Sequence, residues 1–214
     1  MAAQKVDEVM KYLLAKEDIE ALVVFGLSFD NITKRSSEEM DPVYRAQEDQ
    51  YIRWVDDPFL TDHRVRVRFA GEFAKLRRSR VLPGGLPESY LKAMRQLEEA
   101  TDANLGKDFY VLIGYSSRIE LSRSRIEEQE DQLIVDQPYE HNGDSMNMFS
   151  LLEVPMSLDL VIRTGKEQRV SDCLLYQMAY SELIFLDKFF PEINERDLEL
   201  CLQEFRDRPR RYGR

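Results

Sequence analysis

The stretch SLDLVIRTGKEQRVSDCLLYQMAYSEL, Ser157 to Leu183, decides the fold. Leu158–Ile162 is a short apolar β run of the kind buried in a parallel sheet. Arg163–Arg169 is a polar loop with Gly165 as its turn residue. Ser171 and Asp172 are N-cap candidates, predicting a helix over Cys173–Tyr180, after which the chain returns to a strand. The pattern gathers Arg163, Lys166, Arg169 and the hydroxyls of Thr164 and Ser171 at a strand's carboxyl end, beside a helix start. Free amides and the positive end of a helix dipole favour an anion there. Guanidinium forks match phosphate oxygens. Two readings stand at this point: a surface turn with solvated charges, or an anion site in the strand-end crevice where open α/β sheets bind ligands.

The run RTGKEQRVSDCLLYQMAYSEL closely resembles the signature R-T-[SG]-G-E-x-R-[IVL]-S-[ND]-[FC]-L-L-[WY]-Q-x-A-Y-[AS]-E of the cis-prenyltransferases, the undecaprenyl diphosphate synthase family. Lys166 stands where the family usually has glycine. The ending FFPEINERDLELCLQEFRDRPRRYGR is similar to the family's W-P-[DE]-F and R-x-R-R-[FY]-G elements. The resemblance covers most of the chain, although residues 122–156 match weakly.

At 214 residues the chain suits a single domain, 1–214, with a sizeable core. A hydrophobic fraction of 43% and a charged fraction of 33% are those of a globular protein. The net charge of −10 argues against a generic nucleic-acid binder. Apolar runs are too short to span a bilayer, and a secretory signal is not expected. Cys173 and Cys201 lack metal-ligand spacing and sit among apolar residues, so both read as buried free thiols of a reducing cytoplasm.

Outward from the signature, helical spacing of Val6, Val9, Met10, Leu13 and Leu14 predicts a helix over Val6–Ala15. Ile19–Ser28 is β-branched and apolar, a buried strand. Ser36–Asp57 reads as a long amphipathic helix whose stripe is Met40, Val43, Tyr44, Tyr51, Ile52 and Val55. Arg64–Ala70 alternates, with Val65, Val67 and Phe69 on one face and three arginines on the other; a basic face invites a nucleic-acid reading, but the resemblance to the family's H-N-V-R-[IL]-x-x-I-G-D strand favours a sheet-edge charge face or a helix partner. The run Pro83–Pro87 breaks the chain before a helix over Pro87–Thr101, and Phe109–Ile113 is another buried strand. Glu127–Asp131 reads as a solvated acidic run. Tyr139–Ser145 reads as a loop with His141 on its surface. No internal repeat or low-complexity tract is evident.

The resemblance implies an α/β fold, with a mostly parallel central sheet flanked by helices and a hydrophobic tunnel for a prenyl tail. The helix over Ser36–Asp57 would help wall that tunnel, although core packing explains its stripe equally. It implies catalytic support from Ser28, Asp30 and Asn31, where Asp30 replaces the family's glutamate; read locally, Asp and Asn after a strand simply make a turn. It implies binding of the acceptor diphosphate by Arg163, Arg169 and Ser171, joined by Arg211 and Gly213 across a subunit interface, and substrate binding by Arg118, while the donor half of the site is missing or built differently; read locally, Arg208–Arg214 is a frayed tail. It implies Glu182 as ligand to Mg²⁺, which with cationic side chains would neutralise the departing diphosphate. Gly114-Tyr115-Ser116-Ser117-Arg118 departs from the family's N-Y-G-G-R, which alters the backbone of this pocket.

The family's D-G-N-G-R-W-A loop, with its metal-binding aspartate, has no match, and the sequence aligns from inside the helix that follows it. Strands flanking the strand that carries that loop would then need it replaced, covered or compensated by dimer packing. Three readings fit: a divergent Mg²⁺-dependent cis-prenyltransferase acting on isoprenyl diphosphates, an accessory subunit whose partner supplies the aspartate, or a polyprenyl-phosphate binder or a chain whose reading frame continues upstream into the missing loop. A homodimer or heterodimer, residence in the cytoplasm or at its membrane surface, and no nucleic-acid partner accompany these readings.

Overall fold

The computed structural model describes residues 2–123 and 148–209. Helix α1, Ala2–Leu14, buries Val9, Met10, Leu13 and Leu14, the stripe that its spacing sets. Strand β1, Ala21–Ser28, leads directly into the short helix α2, Phe29–Lys34. Helix α3, Ser37–Val55, begins at a capping box in which Ser36 and Glu39 satisfy each other's backbone N–H groups. Helix α4, Pro58–Asp62, strand β2, Val65–Ala70, helix α5, Glu88–Thr101, and strand β3, Lys107–Tyr115, follow. A further helix, α6, covers residues 117–123. Strands β4, Leu160–Arg163, and β5, Glu182–Phe185, precede helix α7, Glu195–Asp207.

The strands form two parallel sheets, one ordered β1-β3-β2 and one of β4 with β5. Parallel pairing with intervening helices gives the α/β architecture read from the sequence. Helices α3 and α5 cover one face of the larger sheet. Met40, Tyr44, Tyr51 and Trp54 of α3 meet Tyr90 and Leu97 of α5 over Val67, Phe69, Phe109 and Val111. Buried phenols in this layer find partners: Tyr51 and Tyr90 share a hydroxyl hydrogen bond of 3.2 Å, and Tyr90 donates to Gln47 Oε1 at 2.8 Å. The Trp54 indole N–H donates to Asp7 Oδ1 at 2.6 Å, tying α1 to α3. On the opposite face Tyr110, Leu112 and Tyr115 meet Val154 and Leu174. A third apolar cluster joins α1 to α7 through Val9, Leu13, Leu198 and Leu202.

Several local expectations need correction. Ile52 lies outside the α3 stripe, 54% exposed, because it is turned about 100° from Tyr51. Trp54 takes the inward position instead. The strand expected at Leu158–Ile162 starts two residues later. Arg64 falls outside β2 with a positive φ of 51°. Arg66 and Arg68 of β2 are neutralised by Asp108 and Asp102, at 2.8 and 2.6 Å. The runs 127–131 and 139–145, with His141, lie outside the described residues.

The largest correction falls in the signature itself. Residues 173–180 form consecutive turns rather than the expected helix. Ser171, Asp172 and Leu174 all have positive φ, at 54°, 61° and 45°, which a right-handed helix excludes. Sideways hydrogen bonds compete with the helical ladder. Asp172 accepts from Ser116 and Arg118, Leu175 N–H donates to Ser117 Oγ, and Gln177 C=O accepts from Leu158 N–H.

Candidate functional site

Because the strands within each sheet are parallel, their carboxyl ends gather. Ser28 ends β1, and Tyr115 ends β3 and leads into α6. The loop after β4 is stitched onto that pole. Ser117 N–H donates to the Asp172 carbonyl at 3.0 Å, Ser116 Oγ donates to Asp172 Oδ2 at 2.6 Å, and Arg118 N–H donates to Asp172 Oδ1 at 3.1 Å. The two serines that replace the family's glycines therefore do structural work. Their hydroxyls hold the signature loop against β3. The amino end of α6 is already capped by a carboxylate of the chain itself, so it is not a free anion site.

Two glycines set this pole. Gly71, at φ 150°, brings the end of β2 so close to β3 that a Cβ there would stand 1.8 Å from the Ile113 carbonyl oxygen. Gly114 adopts φ 63° with Leu76 packed over it. Beneath them Glu72 and Glu120 are buried. Arg123 pairs with Glu72 at 3.2 Å and with Glu153, while Glu153 N–H donates to Glu120 Oε1 at 2.8 Å. Burial pushes the Glu153 carboxyl above its ordinary range, against the pull of Arg123. The sequence reading missed this cluster; its one signal was Glu72 placed straight after a glycine at a strand end.

The sequence-predicted site residues divide by position. Ser28 and Asn31 face each other in the α2 capping box: Asn31 N–H donates to Ser28 Oγ at 3.1 Å, and Ser28 N–H donates to Asn31 Oδ1 at 3.2 Å. Asp30 is exposed and pairs with Lys34 at 2.6 Å. Arg163 ends β4 half-buried, and its Nε is buried with no hydrogen-bond partner among the described residues. Arg169 is exposed and pairs with Glu167. Ser171 is exposed in the strained turn, and Arg118 reaches Asp172 Oδ2 at 3.3 Å. The structure thus brings Arg163, Ser171 and Arg118 to one pole with the β1 end.

Glu182 lies apart from them. It opens β5 opposite Leu160, three residues, or about 10 Å, along the ladder from Arg163. Arg208 donates to it at 2.7 Å. Arg211 and Gly213 lie outside the described residues. Among the described residues no group of three or more His, Cys, Asp or Glu gathers to hold a metal. Cys173 sits beside this pole with its thiol pushed up to about 12 by burial, and Cys201 is buried in α7; both are free.

A surface depression of about 460 Å³ lies elsewhere, beside α1 and the start of α7, and a second of about 390 Å³ borders this pole at Arg68, Gly71, Tyr110 and Glu153. No helix among the described residues is long and apolar enough to cross a membrane.

A family model described as putative undecaprenyl diphosphate synthase matches residues 1–213. A tritrans,polycis-undecaprenyl-diphosphate synthase (geranylgeranyl-diphosphate specific) of Pyrobaculum aerophilum is 36% identical over 217 residues, 99% of this chain and 84% of the relative. One of the same description from Thermococcus kodakarensis is 30% identical, over 99% of this chain and 76% of the relative. Among solved structures, a probable undecaprenyl diphosphate synthase of Campylobacter jejuni shares the fold at a TM-score of 0.80 and 23% identity, covering 100% of this chain and 92% of its own. Lavandulyl diphosphate synthase of Lavandula x intermedia, solved with dimethylallyl diphosphate, gives 0.79 at 26% identity over 99% and 87%. A parallel sheet flanked by helices, the signature at the end of β4 and a family match spanning nearly the whole sequence agree: the chain belongs to the undecaprenyl diphosphate synthase family of prenyltransferases.

Proposed function

We propose that this chain is a cis-prenyltransferase that binds an isoprenyl diphosphate at the β4 end and joins prenyl units to it. The observation that carries the reading is Arg163. Its guanidinium sits at a strand's carboxyl end, in the signature loop, with a buried Nε–H that lacks an acceptor. A buried donor without a partner is costly. A diphosphate oxygen supplies the missing acceptor and a matching charge. Arg118, Arg169 and the Ser171 hydroxyl would add further donors, after Arg118 and Arg169 turn from Asp172 and Glu167. Arg211 and Gly213 are proposed as further contacts on the same diphosphate.

In the reaction, the C1–O bond of the allylic donor breaks, the acceptor's alkene attacks C1, and a proton leaves the new product. Negative charge on the departing diphosphate of the donor needs cationic groups of its own, apart from those that hold the acceptor's diphosphate at the β4 end. Ser28, Asp30 and Asn31 stand at the β1 end, where they would orient the allylic group; the Ser28–Asn31 box makes that end rigid. Magnesium, when bound, would supply positive charge that neutralises a diphosphate. Glu182 is the carboxylate proposed to hold it, exchanging Arg208 for the ion, and a diphosphate anchored at Arg163 would have to reach about 10 Å along the β4–β5 ladder to share it. Because a hard ion carried by a diphosphate takes one or two protein carboxylates, a lone glutamate suits this role.

The test is diphosphate release by the purified chain with C15 or C20 allylic diphosphates, isopentenyl diphosphate and Mg²⁺. Turnover with at least one pair is expected, and none with any pair ends the proposal. A second reading, in which turnover requires another family chain, is favoured by the large aromatic side chains exposed around β5. It predicts activity only in the mixture. Exposed Tyr180, Phe185 and Phe189 around β5 support subunit pairing there in either case.

A further inference from the structure

The loop between β2 and α5 differs in charge from the rest of this acidic chain. Its stretch FAKLRRSRVL, residues 73–82, holds Lys75, Arg77, Arg78 and Arg80 and no acid, in a sequence of net charge −10. The base of the loop is apolar: Leu76 and Leu86 are buried in the main core. Above that base the backbone satisfies itself. Arg78 N–H donates to the Leu86 carbonyl at 2.9 Å, Leu86 N–H to the Leu76 carbonyl at 2.7 Å, and Gly85 N–H to the Leu82 carbonyl at 3.1 Å. Leu82 N–H donates to Ser79 Oγ at 3.1 Å. The loop therefore offers a partner side chains rather than backbone. Its tip sets Arg80 beside Val81, which at 94% exposed is the most exposed large apolar side chain among the described residues.

This tip stands at the carboxyl pole of the larger sheet. Leu76 and Ile32 of α2 meet over Gly114, near the end of β3. A Cβ on Gly84 would stand 2.4 Å from the Arg35 carbonyl oxygen, so glycine lets the loop seat on the last turn of α2. Tyr44 of α3 donates to the Gly84 carbonyl at 2.8 Å. Lys34 and Arg35, both exposed, thereby join the rim, one short helix away from Ser28. Four of the six cations hold an acid: Lys34 with Asp30 at 2.6 Å, Lys75 with Glu72 at 2.8 Å, Arg77 with Glu88 at 3.3 Å, and Arg78 with Asp41. Glu38 and Glu39 at the start of α3 partly offset Arg35. Arg35 and Arg80 make no ion pair among the described residues. Exposed pairs are weak and exchange partners at little cost, so the rim can still meet an anion.

We propose that this rim is the edge by which the chain docks on an anionic lipid bilayer, with Arg35 and Arg80 against lipid phosphates and Val81 sunk into the headgroup layer. A protein partner calls for a contiguous apolar patch with buried anchors, and this tip carries one valine. Headgroups instead take dispersed cations and a shallow apolar residue. The acids elsewhere on the chain do not forbid the approach, because screening confines their field to about 8 Å at physiological salt. Docking in this sense turns the pole that carries Arg163 toward the interface, where an amphiphile with its tail in lipid presents its diphosphate. That purpose rests on the function proposed above; the docking itself does not.

Co-sedimentation of the full chain with vesicles, without substrate, is the test. At about 0.1 M salt, partition onto equal parts of phosphatidylglycerol and phosphatidylcholine should exceed that onto phosphatidylcholine alone by about tenfold or more. Each arginine near such a surface is worth about fivefold, so Arg35→Gln with Arg80→Gln should lose roughly 25-fold. Val81→Ser should lose about tenfold. Arg64→Gln, at an equally exposed arginine before the amino end of β2, should change nothing. No binding, equal binding to both vesicles, unaltered binding of the rim variants, or an equal loss in Arg64→Gln overturns the docking. Duplex DNA held as tightly as the anionic vesicles overturns the choice of lipid. A chain without turnover whose rim variants still lose vesicle binding as expected would sink the proposed function and uphold the docking.

Discussion

Replacing Arg163 by methionine separates a binding role from a structural one. Methionine keeps an unbranched apolar stem where the arginine stem packs and deletes only the guanidinium. In the free protein that group has a buried Nε without a partner. Deleting it removes an unmade hydrogen bond rather than a made one. An unsatisfied buried donor costs about 1–3 kcal/mol, so the variant should hold its stability to within about 1 kcal/mol, or gain. Diphosphate binding should behave in the opposite way. Hydrogen bonds to charged groups contribute about 1.5–3 kcal/mol, which is roughly a 10- to 150-fold loss of affinity. Urea unfolding measures the first quantity, and titration calorimetry with inorganic diphosphate or isopentenyl diphosphate the second. A variant that unfolds several kcal/mol more easily while binding diphosphate as well as the parent would refute the reasoning, since Arg163 would then hold the fold and not the ligand.

Gly71→Ala forces a Cβ against the Ile113 backbone and should cost about 1–3 kcal/mol in urea unfolding, more than Gly114→Ala, where the obstacle is the movable end of Leu76. Glu98 has its carboxyl raised by burial beyond what the Phe69 N–H and Arg68 recover. The folded state thus keeps this proton longer than the unfolded chain. Its contribution to stability is complete below the usual glutamate range and is lost as pH rises from there through the folded value. Glu98→Gln should flatten that decline above the usual glutamate range, and an unchanged slope would count against it. The Cys173 thiol, pushed up to about 12, should resist iodoacetamide at pH 8 in the native chain and react on unfolding, as read by mass spectrometry.

Much of the fold was legible because periodicity reports burial directly. The stripe of α1, the β-branched run of β1 and the alternation of β2 each state which side chains leave water. The signature loop was legible as a cationic turn at a strand end. Its sequel was not. The motif SDCLLYQMAY carries good helix formers and an N-cap, yet Ser116 and Ser117, more than fifty residues away, draw Asp172 and Leu175 into other bonds. Propensity is local and weak, and a few long-range hydrogen bonds in a buried seam outweigh it. Ile52 shows the same limit on a smaller scale: composition admits it to the α3 stripe, but the angle between neighbouring positions puts Trp54 inside instead.

By itself the sequence determined the class of the fold, the parallel order of strand and helix, and the residue types that could meet a diphosphate. Those properties depend on short-range pattern, which a chain carries before it folds. Tertiary structure alone decided that Arg163 keeps a buried donor free among the described residues, that Glu182 lies a strand's length away beside Arg208, and that Asp172 is drawn to Ser116 and Arg118. These depend on which distant groups arrive as partners, and hydrogen bonds between segments far apart in the chain leave no mark in its local pattern.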